Sequence, residues 1–210
     1  MSISRSNIDA LSDIRNMMER SSRFISLSGW SGISAGMFAL AGVWVAHGSI
    51  ERHIASTGNA ALCTSCLEKE LITIALIILA LASTSAILFT VAKSKKDGMP
   101  IWGPAVKKLL WNTLLPMLVG GIVIWRLLDL EYYELVVPLS LLFYGLALIN
   151  GSKFTMGAIR YLGYGQILTG IVSMYILSHG LYAWAFGFGV LHIIYGIAMW
   201  WMYDRKNTTA

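Results

Sequence analysis

Six continuous apolar runs dominate this chain, and each is long enough to cross a lipid bilayer as a helix. The runs cover residues 24–47, 71–92, 105–128, 135–154, 159–178 and 181–203. A transmembrane helix needs about 20 apolar residues, whereas the strands of a membrane barrel appear as alternating segments of about ten residues. We therefore predict an all-α, polytopic membrane helical bundle of about six transmembrane helices, preceded by a short amphipathic helix.

The composition supports this interpretation. Of the 210 residues, 56% are hydrophobic and only 13% are charged, whereas about a quarter of the residues of a soluble domain are charged. The polar residues at 150–153 shorten the fourth run, so we expect any error in the number of spans to fall there.

Basic residues predict the orientation of the spans, because short cytoplasmic loops are enriched in Lys and Arg. Only Arg52, Lys69 and Arg126 fall on one side of the predicted bundle. The basic residues on the other side are Arg5, Arg15, Arg20, Arg23, Lys93, Lys95, Lys96, Lys107, Lys108, Lys153, Arg160, Arg205 and Lys206. We predict a multi-pass protein of the inner (cytoplasmic) membrane with both termini in the cytoplasm, including a tail at 204–210.

The segment before the first run, residues 1–23, has the pattern of an amphipathic helix. Ile8, Leu11, Ile14 and Met18 recur at helical spacing, and charged residues occupy the other side. Such a helix anchors on the inner leaflet through its apolar area and basic residues, or it docks a cytoplasmic protein partner or another copy of the chain. The pattern leaves both interpretations open.

Small residues recur in two of the predicted spans at the spacing that lets helix backbones approach each other. Ser28, Gly32, Gly36 and Ala39 form one such stripe, and residues 163, 170 and 173 form another. Because helix association in lipid depends on close packing, these stripes predict tight helix–helix contacts.

Polar side chains at membrane depth indicate a candidate polar pocket that opens to the cytoplasm. His192 and Gln166 lie on glycine-bearing faces of their helices, so both should point into the bundle. The pocket residues predicted in this way are His192, Gln166, Asn112, Asn150, Tyr144, Tyr195, Lys153 and Arg160. His192 handles a ligand or a proton, or it is a neutral structural residue bonded to Gln166, a tyrosine or a backbone carbonyl.

Catalytic and cofactor signatures are missing from the sequence. It has no phosphate loop, dinucleotide fingerprint, nucleophile elbow or zinc-protease motif. A membrane haem commonly needs two facing axial ligands, and only His192 lies deep, so we predict no haem or other cofactor and no metal. The basic residues form no patch with interleaved aromatics, so we also predict no nucleic-acid partner.

Cys63 and Cys66 form a Cys-Thr-Ser-Cys motif in the loop predicted to be outside. In an oxidising compartment such a pair forms a disulfide. Redox and metal-binding roles are the alternatives, but the motif lacks a βαβ context and a zinc-type histidine spacing.

Three segments, 21–29 (SSRFISLSG), 142–148 (LFYGLAL) and 187–196 (GFGVLHIIYG), resemble those of a family of small six-span inner-membrane proteins from Bacteroidota. The likeness covers most of the chain, but not the Cys63–Cys66 loop. That family has no assigned activity, so the resemblance implies no catalytic residues. Some members are encoded beside small winged-helix regulators, which implies a regulatory context.

Three functions follow as hypotheses from these features. The leading one is a non-enzymatic sensing or regulatory membrane protein that acts through a partner. The alternative is a small-molecule transporter or channel that uses the pocket around His192. A membrane enzyme or cofactor-binding protein is the third, because a helical bundle by itself implies no single function.

Overall fold

The computed structural model describes residues 28–56, 64–98, 102–155 and 157–204 of the chain. Every regular element within these residues is helical. The five helices that come first are α1 (Gly29–Ser56), α2 (Thr64–Lys96), α3 (Pro104–Asp129), α4 (Val136–Gly151) and α5 (Ile159–Tyr175). The amphipathic helix predicted at 1–23 and the tail residues 205–210 lie outside the described part.

The last helical stretch, residues 180–204, is built from four consecutive pieces, and we call it the C-terminal helix. Its pieces are α6 (Gly180–Trp184), a π segment (Ala185–Leu191), α7 (His192–Met199) and a second π segment (Trp200–Asp204). A π segment replaces the usual i→i−4 bonds by i→i−5 bonds, and such segments often occur at functional sites.

Five helical stretches are long and apolar enough to cross a membrane, which supports the predicted membrane bundle at this coarser level. They cover Gly29–Ala55, Cys66–Lys96, Pro104–Asp129, Tyr133–Phe154 and Leu177–Met202. Several exceed the predicted apolar runs, because helical geometry continues into the polar residues at their ends. Pro104 opens α3, a position where its missing N–H costs no intrahelical bond.

The weakest span is the fifth and not the fourth. The fourth reaches 22 residues, because the 3₁₀ turns Tyr133–Leu135 and Ser152–Phe154 extend α4 at both ends. α5 has only 17 residues, at the lower limit for a crossing. It ends where Ile176 leaves helical geometry (φ −130°, ψ 59°), and a 3₁₀ turn at Leu177–His179 then leads into the C-terminal helix.

α5 nevertheless runs antiparallel along the whole length of α4. A Cβ atom added to Gly163 would lie 2.9 Å from the carbonyl oxygen of Gly145, and one added to Gly170 would lie 2.9 Å from that of Pro138. Gly180, just after α5, lies beside Val137 at the start of α4. The two helices therefore cover the same depth, and the predicted packing face at 163, 170 and 173 is buried against α4.

The C-terminal helix lies between two pairs of helices. α1 packs on it and carries α2 on another side, while α4 and α5 pack on it as a pair and α4 carries α3. α2 and α3 leave long apolar faces exposed, with side chains such as Ile87 and Ile122 more than 60% accessible. In a bilayer these faces contact lipid, where exposed apolar side chains cost nothing.

The contact between α1 and the C-terminal helix is made by glycines. A Cβ atom added to Gly196 would lie 2.6 Å from the backbone nitrogen of Ile33 and 2.7 Å from the carbonyl oxygen of Gly29. A Cβ atom added to Gly32 would lie 3.0 Å from the Cα atom of Gly196 and 3.1 Å from the carbonyl oxygen of His192. The close packing predicted for the first small-residue stripe is confirmed.

Candidate functional site

His192 begins α7 and points into the centre of the bundle. It is 6% exposed, and among the described residues up to 202 it is the one His, Lys, Arg, Asp or Glu side chain that is buried. Gln166 faces it from α5 and is fully buried, as the glycine-bearing face predicts. Burial of both residues follows from the close glycine contacts that draw these helices together.

Four groups from three helices form a hydrogen-bonded network around His192. Its Nε2 atom lies 2.8 Å from the hydroxyl of Tyr144 on α4. Its Nδ1 atom lies 3.2 Å from the carbonyl oxygen of Gly187, in the first π segment. The Nε2 amide of Gln166 donates to the same carbonyl at 2.8 Å and lies 3.4 Å from Nδ1 of His192.

The contact with the Gly187 carbonyl favours one tautomer of His192. A carbonyl oxygen only accepts hydrogen bonds, so in this tautomer Nδ1 of His192 carries the hydrogen that points at Gly187. In the neutral imidazole Nε2 is then an acceptor, and the Tyr144 hydroxyl donates to it. Reversing the Gln166 amide would bring two oxygens within 2.8 Å of each other, which excludes that orientation. Both ring nitrogens of His192 are therefore engaged inside the protein.

Aromatic rings pack around this network. The Tyr144 ring centre lies 5.5 Å from that of His192 and 5.3 Å from that of Phe188. Phe188 in turn contacts His192 at 6.2 Å and Trp184 at 5.6 Å. These separations lie in the range of favourable ring contacts, so the rings hold the imidazole in an apolar setting.

A second polar cluster joins α3 and α4 at the other members of the predicted pocket. The Asn150 amide nitrogen donates to the backbone carbonyl of Asn112 at 2.9 Å, and the Asn112 amide donates to the carbonyl of Lys108 at 2.8 Å. Lys153 donates to the side-chain oxygen of Asn150 at 3.3 Å. Asn150 follows Tyr144 by six residues, about 9 Å along the helix, so the two clusters are distinct.

The two remaining predicted pocket residues lie apart from both clusters. Arg160, at the start of α5, is exposed, donates to the Tyr161 hydroxyl at 3.4 Å, and lies 5.1 Å from the centre of that ring. Tyr195 is half-buried on α7, and the described partners of His192 do not include it. The eight predicted residues thus form two separate groups with two outliers.

Oε1 of Gln166 and Oγ of Ser173 are buried and have no hydrogen-bond partner within the described part of the chain. An unpaired acceptor in an apolar interior costs about 1–3 kcal/mol. The Gln166 oxygen lies against the Gly187 backbone, since a Cβ atom there would be 2.8 Å from it. The sequence predicts neither the unpaired Gln166 oxygen nor the hydrogen bonds to the Gly187 carbonyl, because no sequence motif identifies a π segment.

The predicted outer end carries polar groups of another kind. Cys66 is disulfide-bonded, while Cys63 lies outside the described residues, so the pairing of these two remains a prediction. Ser49 donates to the Glu70 carboxylate at 2.6 Å, and Arg52 donates to the Ser49 oxygen at 3.0 Å. No group of three or more potential metal ligands exists among the residues that the structure describes.

Comparison of the chain with protein-family models, with curated proteins and with solved structures gives no match.

Proposed function

We propose that this chain is a multi-pass inner-membrane protein with six crossings and cytoplasmic termini, and that it has a non-enzymatic sensing or regulatory role exerted through a partner. The observation that carries the proposal is the closure of the His192 network. Both imidazole nitrogens have partners within the protein, so neither nitrogen of His192 is free to accept a proton from a substrate. Catalysis by a general base needs such an atom within reach of the proton it takes.

The absence of other buried charge within the described helices supports the same conclusion. The buried polar side chains of the described residues are otherwise Ser, Thr and Gln. Ion- and proton-coupled carriers commonly place carboxylates or other ionisable groups inside the bundle. A bundle held by neutral hydrogen bonds and glycine contacts suits a scaffold that presents a signal elsewhere.

Six crossings are favoured by the pairing of α4 and α5. The 17 residues of α5 match the full length of its neighbour α4, which belongs to a stretch of membrane-crossing length. With six crossings, the Lys-rich ends at Lys93–Lys96 and Lys107–Lys108 and both termini lie on one side. By the positive-inside rule that side is the cytoplasm.

The test removes the proposed docking element. A tagged chain that lacks residues 1–23 should insert in the membrane as the full chain does, but it should lose a co-purifying cytoplasmic protein or the self-association of the full chain. The matched control lacks residues 205–210 and should retain both. Identical co-purification and oligomeric state for the two truncated chains would refute a role for the amphipathic helix.

A transporter or channel with a cytoplasm-facing polar pocket is the alternative, and the unpaired Gln166 oxygen favours it. Under this alternative a polar solute donates a hydrogen bond to the unpaired oxygen of Gln166, beside His192. Small polar metabolites would then raise the melting temperature of the wild-type chain but not of His192→Leu. A rise in melting temperature that depends on His192 would contradict the regulatory proposal and support a transport function.

A further inference from the structure

Two arginines at one end of the bundle are paired with carboxylates. Arg52, at the end of α1, lies 3.5 Å from Glu70 of α2. Arg126, in the last turn of α3, lies 3.8 Å from Asp129. Both pairs lie at the end of the bundle where α1 and α3 finish. At distances beyond the screening length, the positive and the negative charge of each exposed pair largely cancel.

Two cations at the opposite end are hydrogen-bonded to neutral groups. Lys153 follows α4, and its ammonium donates to the amide oxygen of Asn150 at 3.3 Å. Arg160 starts α5, and its guanidinium donates to the hydroxyl of Tyr161 and lies over that ring. An amide and a phenol orient a cation without cancelling its charge, and both side chains remain exposed.

Further positive charge lies near this turn. Asn150 is bonded to Asn112, which in turn bonds the backbone of Lys108 on α3. Lys107 and Lys108 are both exposed. Tyr161 and Tyr164 on α5 and Trp111 on α3 are more than half exposed, as side chains at the boundary of the hydrocarbon core are.

We propose that the turn between α4 and α5 binds the headgroup of an anionic phospholipid, with Lys153 and Arg160 as the phosphate ligands. A guanidinium binds phosphate oxygens through paired N–H donors, and an ammonium adds a point charge. Basic sites between transmembrane helices bind acidic headgroups in this way. The exposed apolar faces of α3 and α5 would receive the acyl chains. The inference goes beyond the proposed function and does not depend on it.

The experiment compares phospholipids that differ only in headgroup charge. Purified full-length protein in a neutral detergent receives dioleoyl phosphatidylglycerol, dioleoyl phosphatidylcholine or inorganic phosphate, and its melting temperature is measured. The test variant is Lys153→Gln with Arg160→Gln. The matched control is Arg52→Gln with Arg126→Gln, which removes the same charge from the carboxylate-paired end.

We expect phosphatidylglycerol to raise the melting temperature of the wild type more than phosphatidylcholine does. At least half of that difference should disappear in the Lys153/Arg160 variant and remain in the Arg52/Arg126 control. Equal shifts for the two lipids, or equal losses in the two variants, would overturn the proposal. An equal shift with inorganic phosphate would overturn it as well, because the site would then bind free phosphate. Native mass spectrometry of retained phosphatidylglycerol gives the same comparison if a variant melts too early.

Discussion

Substitution of Gly196 by alanine probes the close backbone contact between α1 and the C-terminal helix. The added methyl group would lie 2.6 Å from the Ile33 nitrogen and 2.7 Å from the Gly29 carbonyl oxygen. Neither is the end of a flexible side chain, so α1 and the C-terminal helix must move apart by several tenths of an ångström. Overpacking of this kind costs about 1–3 kcal/mol.

Gly121→Ala is the matched control, because Gly121 lies in α3 with no atom within 4 Å of an added Cβ. Both substitutions gain the helix preference of alanine over glycine, up to about 1 kcal/mol. This gain cancels when the two variants are compared. Gly196→Ala should therefore be less stable than Gly121→Ala by about 1–3 kcal/mol.

The assay is unfolding in mixed micelles as the mole fraction of sodium dodecyl sulfate rises, followed by tryptophan fluorescence. The difference in unfolding free energy between the two variants is the measured quantity. Equal unfolding free energies would refute the close α1 contact, because a loosely packed Gly196 would accept a methyl group at no cost.

Three further predictions concern hydrogen bonds and use the same unfolding assay. Tyr144→Phe removes the donor to His192 and should lower the unfolding free energy by about 0.5–2 kcal/mol, whereas Tyr182→Phe, at an exposed ring, should change it little; equal effects would contradict the network. Gln166→Leu takes one donor from the Gly187 carbonyl, which keeps its bond from Nδ1 of His192, and it also removes the unpaired Gln166 oxygen, so it should cost less than about 1.5 kcal/mol; a larger loss would show that His192 alone does not satisfy this carbonyl. Arg52→Ala breaks an exposed ion pair and should cost less than about 1 kcal/mol, so a larger loss would mean that the pair is shielded from water.

Much of the helical architecture could be predicted from the sequence because the apolar runs are continuous and of bilayer length. The inward direction of His192 and Gln166 was predictable as well, since glycines three and four residues away mark the face where helices touch. The small-residue stripe of α1 identified its contact with another helix, though not that the partner is the C-terminal helix.

Other features depend on tertiary packing and left no mark in the sequence. At Ile176 the backbone leaves helical geometry in the middle of an apolar run. The apolar pattern does not mark this end of α5, so the predicted span continued to residue 178. The 3₁₀ turns that lengthen α4 kept the fourth span at full length despite the polar residues at 150–153. The separation of Asn150 from the His192 network follows from helix pairing, because Asn150 faces α3 while Tyr144 faces the C-terminal helix.

If α5 crosses the membrane, the chain has six spans and both termini lie on one side. If α5 does not cross, the chain has five spans and the termini lie on opposite sides. Single cysteines at Gly157 and Ser178, which flank α5, would be introduced into a chain with Cys63→Ser and Cys66→Ser and treated with an impermeant maleimide. The six-span account predicts that Ser178→Cys is labelled with the inner membrane intact and that Gly157→Cys is labelled only after the membrane is permeabilised. Labelling of both positions from the same side would contradict it.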